Sequence, residues 1–243
     1  MFRPFSCKSR LCNQINCIEM RTILARGGIE FLAVFLGIAL SLWVDDFREE
    51  RELKERLNDD LIKIYNEVQA NIANIETIIG LNKKYLSSEE ELLKILNKEI
   101  VFSFNEAIEL ISDIRWPTYF GETTAYRSSV SSGRFNTSKN DSLIRQLSRL
   151  YEHFFVRLKL NGDILDKQAF EFTGNHSKKF NKARFKQSGI DTLSLTKYFF
   201  SDDFHNGLLG TYEIRKNYYM DRLEDTKKQL YKVKNTYHKF YFD

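Results

Sequence analysis

The side chains best suited to catalysis or metal binding are scattered along this chain. His153, His176, His205 and His238 stand apart, whereas a metal site needs ligands at matched spacing. Asp202-Asp203-Phe204-His205 is the one local acid–histidine group, and it reads first as a helix start with solvated acids. The pairs Asp45-Asp46, Asp59-Asp60 and Asp202-Asp203 are sequence neighbours; on a helix such neighbours diverge and make poor acid–base partners. Gly207 and Gly210 lack the Lys-Ser/Thr that completes a phosphate loop. Ser131-Ser132-Gly133 reads as a turn rather than a nucleophile elbow. Cys7, Cys12 and Cys17 recur every five residues, which spreads them round a helix and fits no zinc pattern; they read as reduced thiols. The expectation is a protein that is not an enzyme, with no catalytic residues, no cofactor and no metal.

One charged patch suggests binding. Residues 178–186 read KKFNKARFK, with Lys178, Lys179, Lys182, Arg184 and Lys186 and no acid. Phe180 and Phe185 interleave with them. A basic stretch with rings can touch lipid headgroups or another polyanion; the plainer reading is a solvated loop over 174–190 whose rings fold inward.

A second kind of chemistry is insolubility. Phe31 to Val44 is FLAVFLGIALSLWV, with no charge. Gly27 to Ile29 extend it to eighteen residues, about 27 Å as a helix, enough for a thin bilayer core. Glu30 stands near one end, where a charge costs least, and Trp43 near the other, as an interface anchor. Ala33, Gly37 and Ser41 recur every four residues, a stripe that lets two membrane helices approach closely. Glu30 falls on or beside that stripe. The segment is predicted to pack as a homo-oligomer seam through Glu30, Ala33, Gly37 and Ser41. A cleaved signal peptide is the rival, with Ala39-Leu40-Ser41 as its cleavage site, but cleavage there leaves Leu42-Trp43-Val44 at the new terminus. A buried core helix is the other alternative. Arg3, Lys8, Arg10, Arg21 and Arg26 precede the span; more dilute bases follow it, which favours a cytoplasmic N-terminus.

These features must be carried by helices. The 243 residues include only 2 prolines and 11 glycines, too little turn chemistry for a β-sandwich. Hydrophobic residues make up 42%, enough for a real core. The net charge is +4, yet 32 of the 37 bases and 31 of the 33 acids follow residue 44. That near-neutral remainder argues against nucleic acid as a partner. Leu53, Leu57, Leu61, Ile64, Val68, Ile72 and Ile75 step by threes and fours, which predicts a stalk helix over about 46–79 continuing from the membrane helix and ending near Gly80. Ser87 with Glu90, and Ser103 with Glu106, fit capping boxes for the next two helices. Thr123 or Thr124 starts a third, stopped at Gly133. Residues 138–172 predict a long helix kinked at Gly162, and 206–237 a last one. The predicted architecture is mainly α: a basic tail (1–26), a transmembrane helix (27–44) and a soluble helical domain (45–243) whose elongated bundle spans about 87–240.

Gly28 to Glu50, GIEFLAVFLGIALSLWVDDFREE, resembles the anchor of an uncharacterised bacterial family of single-span membrane proteins. In that family a Glu opens the span, a glycine sits mid-span and a Trp precedes an acidic, Arg-containing helix start; Glu30, Gly37, Trp43 and Glu49 to Arg51 stand at the matching places. Asp45 and Asp46 replace the family's Asn. Thr124 to Phe154 is also similar, through Tyr126, Ser132, Gly133, Leu143, Leu147 and Tyr151. The resemblance implies topology rather than chemistry: a single pass through the bacterial inner membrane, N-terminus cytoplasmic, helical domain outside. The function expected is a non-enzymatic scaffold or interaction protein with the lipid bilayer, a second copy of itself and an unidentified protein as partners. A sensor relaying a shift along the stalk helix, and an enzyme with an unfamiliar site, are the alternatives.

Overall fold

The computed structural model describes residues 10–138 and 140–241, and the side chains of 28–138 and 140–240. Cys7 lies outside the described residues and the side chains of Cys12 and Cys17 outside the described side chains, so the reading of the cysteines stays with the sequence. The described residues are mainly helical, without a strand. The elements are α1 (Arg10–Leu96), α2 (Phe104–Asp113), α3 (Thr124–Ser131), α4 (Asp141–Arg149), α5 (Phe155–Phe172), α6 (Lys178–Arg184), α7 (Thr192–Phe199), α8 (Asp202–Glu213) and α9 (Met220–Tyr241). Wide π turns at Leu150–Phe154, Thr173–Ser177 and Ile214–Tyr219 join α4 to α5, α5 to α6 and α8 to α9. The chain divides into two compact units between Arg56 and Leu57.

In the first unit, every described side chain from Gly28 to Arg56 is exposed. Its charged end is laced by four-residue ion pairs, among them Arg51–Glu55 at 3.0 Å and Lys54–Glu50 at 2.7 Å. Such exposed pairs support a helix by a few tenths of a kcal/mol each, about 0.3–0.5.

The second unit is the helical bundle. Leu57, Leu61, Ile64, Val68, Ile72, Ile75 and Ile79 are all buried and pack with Leu143, Leu147 and Leu150, with Leu158 and Leu165, and with Leu223, Leu230 and Val233. From Leu57 on, the stretch predicted as a stalk is therefore part of the bundle and its core. A second core gathers Leu92, Ile95, Ile108, Ile111, Phe172, Phe180, Phe199, Phe204 and Leu208. Trp116 packs against both.

Several predicted boundaries move. α1 does not stop at Gly80 but runs to Leu96. One glycine inside a helix costs only about 1 kcal/mol, and the buried residues on either side of it outweigh that. Ser87 caps nothing; its hydroxyl bonds back to the Lys83 carbonyl at 3.2 Å within the same helix. Ser103 does stand at the N-cap of α2, without a side-chain capping bond. Gly133 adopts φ +75 after α3, as a left-handed stop requires. The helix passes through Gly162 unbroken; a Cβ there would lie 3.6 Å from Thr118 and 3.7 Å from Tyr219, so this glycine serves ordinary packing. Residues 174–190 are not a loop: the π turn and α6 fill most of that range.

Candidate functional site

The segment after α2 is irregular, and polar side chains of α1 hold it. Asn82, Asn74 and Asn71 donate to the carbonyls of Pro117, Phe120 and Glu122 at 2.9, 3.0 and 2.8 Å. This meets the hydrogen-bond need of a backbone that has no helix of its own. Asn71 Oδ1 also accepts from the Tyr119 hydroxyl and the Glu122 N–H, each at 2.8 Å. One turn earlier the carboxylate of Glu67 accepts from the Ala125 N–H at 2.7 Å, the Tyr126 N–H at 3.4 Å and the Tyr151 hydroxyl at 2.7 Å. Glu67 thus caps α3 from another helix and places a negative charge at its positive end. Burial pushes the phenols of Tyr119 and Tyr151 well above their ordinary range. They stay protonated and act as donors, which makes this cluster architectural.

Near the junction of the two cores lies a buried ion pair. Glu89 and Arg215 are both fully shielded, with Nη2 to Oε1 at 3.4 Å. Arg215 also donates to the Arg115 carbonyl at 2.7 Å and sits over the rings of Tyr85 and Trp116. Burial raises the Glu89 carboxyl to about 7, against the opposing pull of Arg215 and the Trp116 indole.

A third cluster joins residues the sequence kept apart. His176 Nδ1 and the Tyr198 hydroxyl meet at 2.7 Å, and that hydroxyl donates to Asp203 at 3.1 Å. Lys179 Nζ lies 3.6 Å above the centre of the Tyr198 ring. The π turn Thr173–Ser177 brings His176 to this place. The acid–tyrosine–histidine order suggests a proton relay, but Gly207 closes it: a Cβ on Gly207 would overlap the imidazole at Nε2, Cδ2 and Cε1. A ring whose second nitrogen is pressed against a helix backbone offers no face to a substrate. Burial lowers the affinity of His176 for a proton, consistent with a neutral ring in an aromatic core. Sequence spacing missed this group because its members lie 22 and 5 residues apart in different helices.

The predicted contact residues are divided by the fold. Phe180 is buried in the second core, while Phe185 is exposed. Arg184 is tied to the Ser112 carbonyl at 3.0 Å and to Asp113 at 3.4 Å, and Lys179 to the Tyr198 ring. Lys178, Lys182 and Lys186 are exposed. In the apolar helix, Glu30, Ala33, Gly37, Ser41 and Trp43 are all exposed, and a Cβ on Gly37 would meet nothing within 4 Å. Among the described residues no three His, Cys, Asp or Glu side chains gather as a metal site would require.

Among the described residues these elements define a class: a helical protein with one exposed apolar helix, a candidate membrane span, and a bundle knit by buried polar clusters. Residues 29–201 match the model of a family described as "Family of unknown function (DUF6090)", and the chain belongs to that family. No curated protein and no solved structure matches it.

Proposed function

We propose that the protein is a non-enzymatic, single-pass membrane protein that presents its helical domain for interaction, with its N-terminus in the cytoplasm of a bacterial cell and its bundle on the far side of the inner membrane. The observation that carries this reading is the exposure of apolar side chains from Ile29 to Val44. Phe31, Leu36, Leu40 and Trp43 are 69%, 55%, 60% and 66% exposed. Each such side chain left in water forgoes about 1.5–3 kcal/mol, so the helix needs a bilayer or an equivalent apolar partner. A helix apolar on all sides suits lipid. The family match supports an anchor over a removable leader, because it begins at residue 29 and so includes the apolar helix.

The stripe of Ala33, Gly37 and Ser41 supports self-association within the membrane. Fractionation tests the tether: the full chain belongs in the membrane pellet, resistant to alkaline extraction and released by detergent. Recovery of the intact chain in the detergent-free supernatant overturns it. Protease added to sealed cells stripped of their outer membrane should digest the bundle, and protection of the bundle reverses the orientation. Crosslinking in membranes should capture a dimer that Gly37→Leu weakens.

A further inference from the structure

We propose that the bundle carries an anion site for a small phosphate or phosphorylated headgroup, built by Arg149, Arg157 and Arg222 with His153. This site lies within the second unit and is independent of the membrane reading.

Arg149, His153 and Arg157 recur at four-residue steps through the π turn Leu150–Phe154. In an unbroken α-helix, residues eight apart are about 80° out of phase. A wide turn holds more residues per revolution and takes back part of that rotation. All three therefore line one concavity of about 200 Å³, which Arg222 of α9 enters from across the bundle. The buried Thr226 also lines it.

The charge there is unbalanced. Three arginines line the concavity with one acid, Asp225. That carboxylate lies 3.7 Å from Arg222 and is shared with Lys228 at 3.4 Å. Among the described residues neither Arg149 nor Arg157 has an ion pair. The guanidinium of Arg149 lies over the Phe154 ring, 5.6 Å from its centre, which restrains its plane. Arginine forks that outnumber the acids beside them suit a tetrahedral, multiply charged oxyanion. With Asp225 set against one of them, a singly charged carboxylate would still leave one uncompensated. His153 adds a ring N–H donor. The volume falls below the roughly 300–1,000 Å³ of drug-sized ligand pockets, so it suits a phosphate or the head of a larger molecule rather than a whole nucleotide.

The test is calorimetric titration of the full chain in non-ionic detergent with inorganic phosphate, glycerol phosphate and dihexanoyl phosphatidic acid. Saturable binding is expected. Arg149→Gln and Arg157→Gln should each weaken it by about tenfold or more. The double change Arg149→Lys with Arg157→Lys should retain part of it, and Lys232→Gln, on another face, should leave it unchanged. Both arginines are exposed, and an unaltered melting transition confirms that the variants fold. Phosphate and glycerol phosphate binding as tightly as the lipid assigns the site to soluble phosphoesters; a lipid preference of tenfold or more assigns it to headgroups. Absence of saturable binding to all three, or binding that survives both glutamine substitutions, overturns the proposal.

Discussion

Glu89 and Arg215 face each other at 3.4 Å with neither side chain reaching solvent. Burial has shifted the carboxyl upward to about 7, so the folded chain holds this proton more tightly than the unfolded chain does. Between the ordinary value of 4.5 and about 7 the folded state binds more protons. Linkage then makes stability fall as pH rises through that window, and level off above it. Glu89→Gln should remove this contribution: relative to the variant, the natural protein should lose melting temperature from the acid to the neutral end of the window. A constant difference between the two melting curves would contradict the assignment. Arg215→Ala, which strands the carboxyl, should cost about 3 kcal/mol in chemical denaturation.

Glu67 is the capping group of a helix that begins nearly sixty residues later. Glu67→Ala removes acceptors from the N–H groups of Ala125 and Tyr126 and from the Tyr151 hydroxyl. The expected loss is about 2–4 kcal/mol in urea denaturation. Tyr151→Phe should cost less, about 1–3 kcal/mol. The two losses should be non-additive, because they share one hydrogen bond. Simple addition would show that the bond contributes nothing.

Two glycines on α8 provide a contrast. At Gly207 a Cβ meets the His176 ring, whereas at Gly210 it meets nothing within 4 Å. Gly207→Ala should therefore lower stability by about 1–3 kcal/mol through overpacking. Gly210→Ala should raise it by up to about 1 kcal/mol through helix propensity. Thermal melting of the two variants should move in opposite directions; a shared direction would mean that the ring yields.

Charge placed in the middle of the apolar helix should defeat insertion. Leu36→Arg with Leu40→Arg adds about 2.5–3.5 kcal/mol per arginine on an insertion scale. The double variant is expected to leave the alkali-resistant membrane fraction. Retention at the natural level would remove the bilayer as the explanation for the exposed side chains.

The regular parts of the fold were legible because they repeat. The steps from Leu53 to Ile75 mark a buried helical face, and that face is buried from Leu57 on, with Leu53 exposed. Gly133 after Thr124 to Ser131 marks a stop, and the chain turns there. What escaped depends on distance or on weak local signals. Gly80 looks like a breaker, but its cost is small beside the packing around it. KKFNKARF looks like a loop because it is charged, yet the single ring of Phe180, fully buried, fixes it as a helix. The Tyr198 contact with His176, the asparagine clamps from α1 and the concavity shared by Arg149 and Arg222 join residues on different helices, and no period along one chain encodes them. The wide turns share no composition signal: Leu150–Phe154 is LYEHF, whereas Thr173–Ser177 is TGNHS, weak helix formers that read as a loop.

Those wide turns carry a consequence for how this family can vary in length. An i→i+5 turn contains one residue more than an i→i+4 turn, so each is a spare residue stored within a continuous helix. Loss of one residue between Leu150 and Phe154 can be absorbed by narrowing that turn, whereas the same loss within α4 or α5 would rotate a buried face outward. Single-residue gaps among family members should therefore cluster at such turns, and a member with a gap there would have re-aimed its ladder of basic side chains while keeping the core.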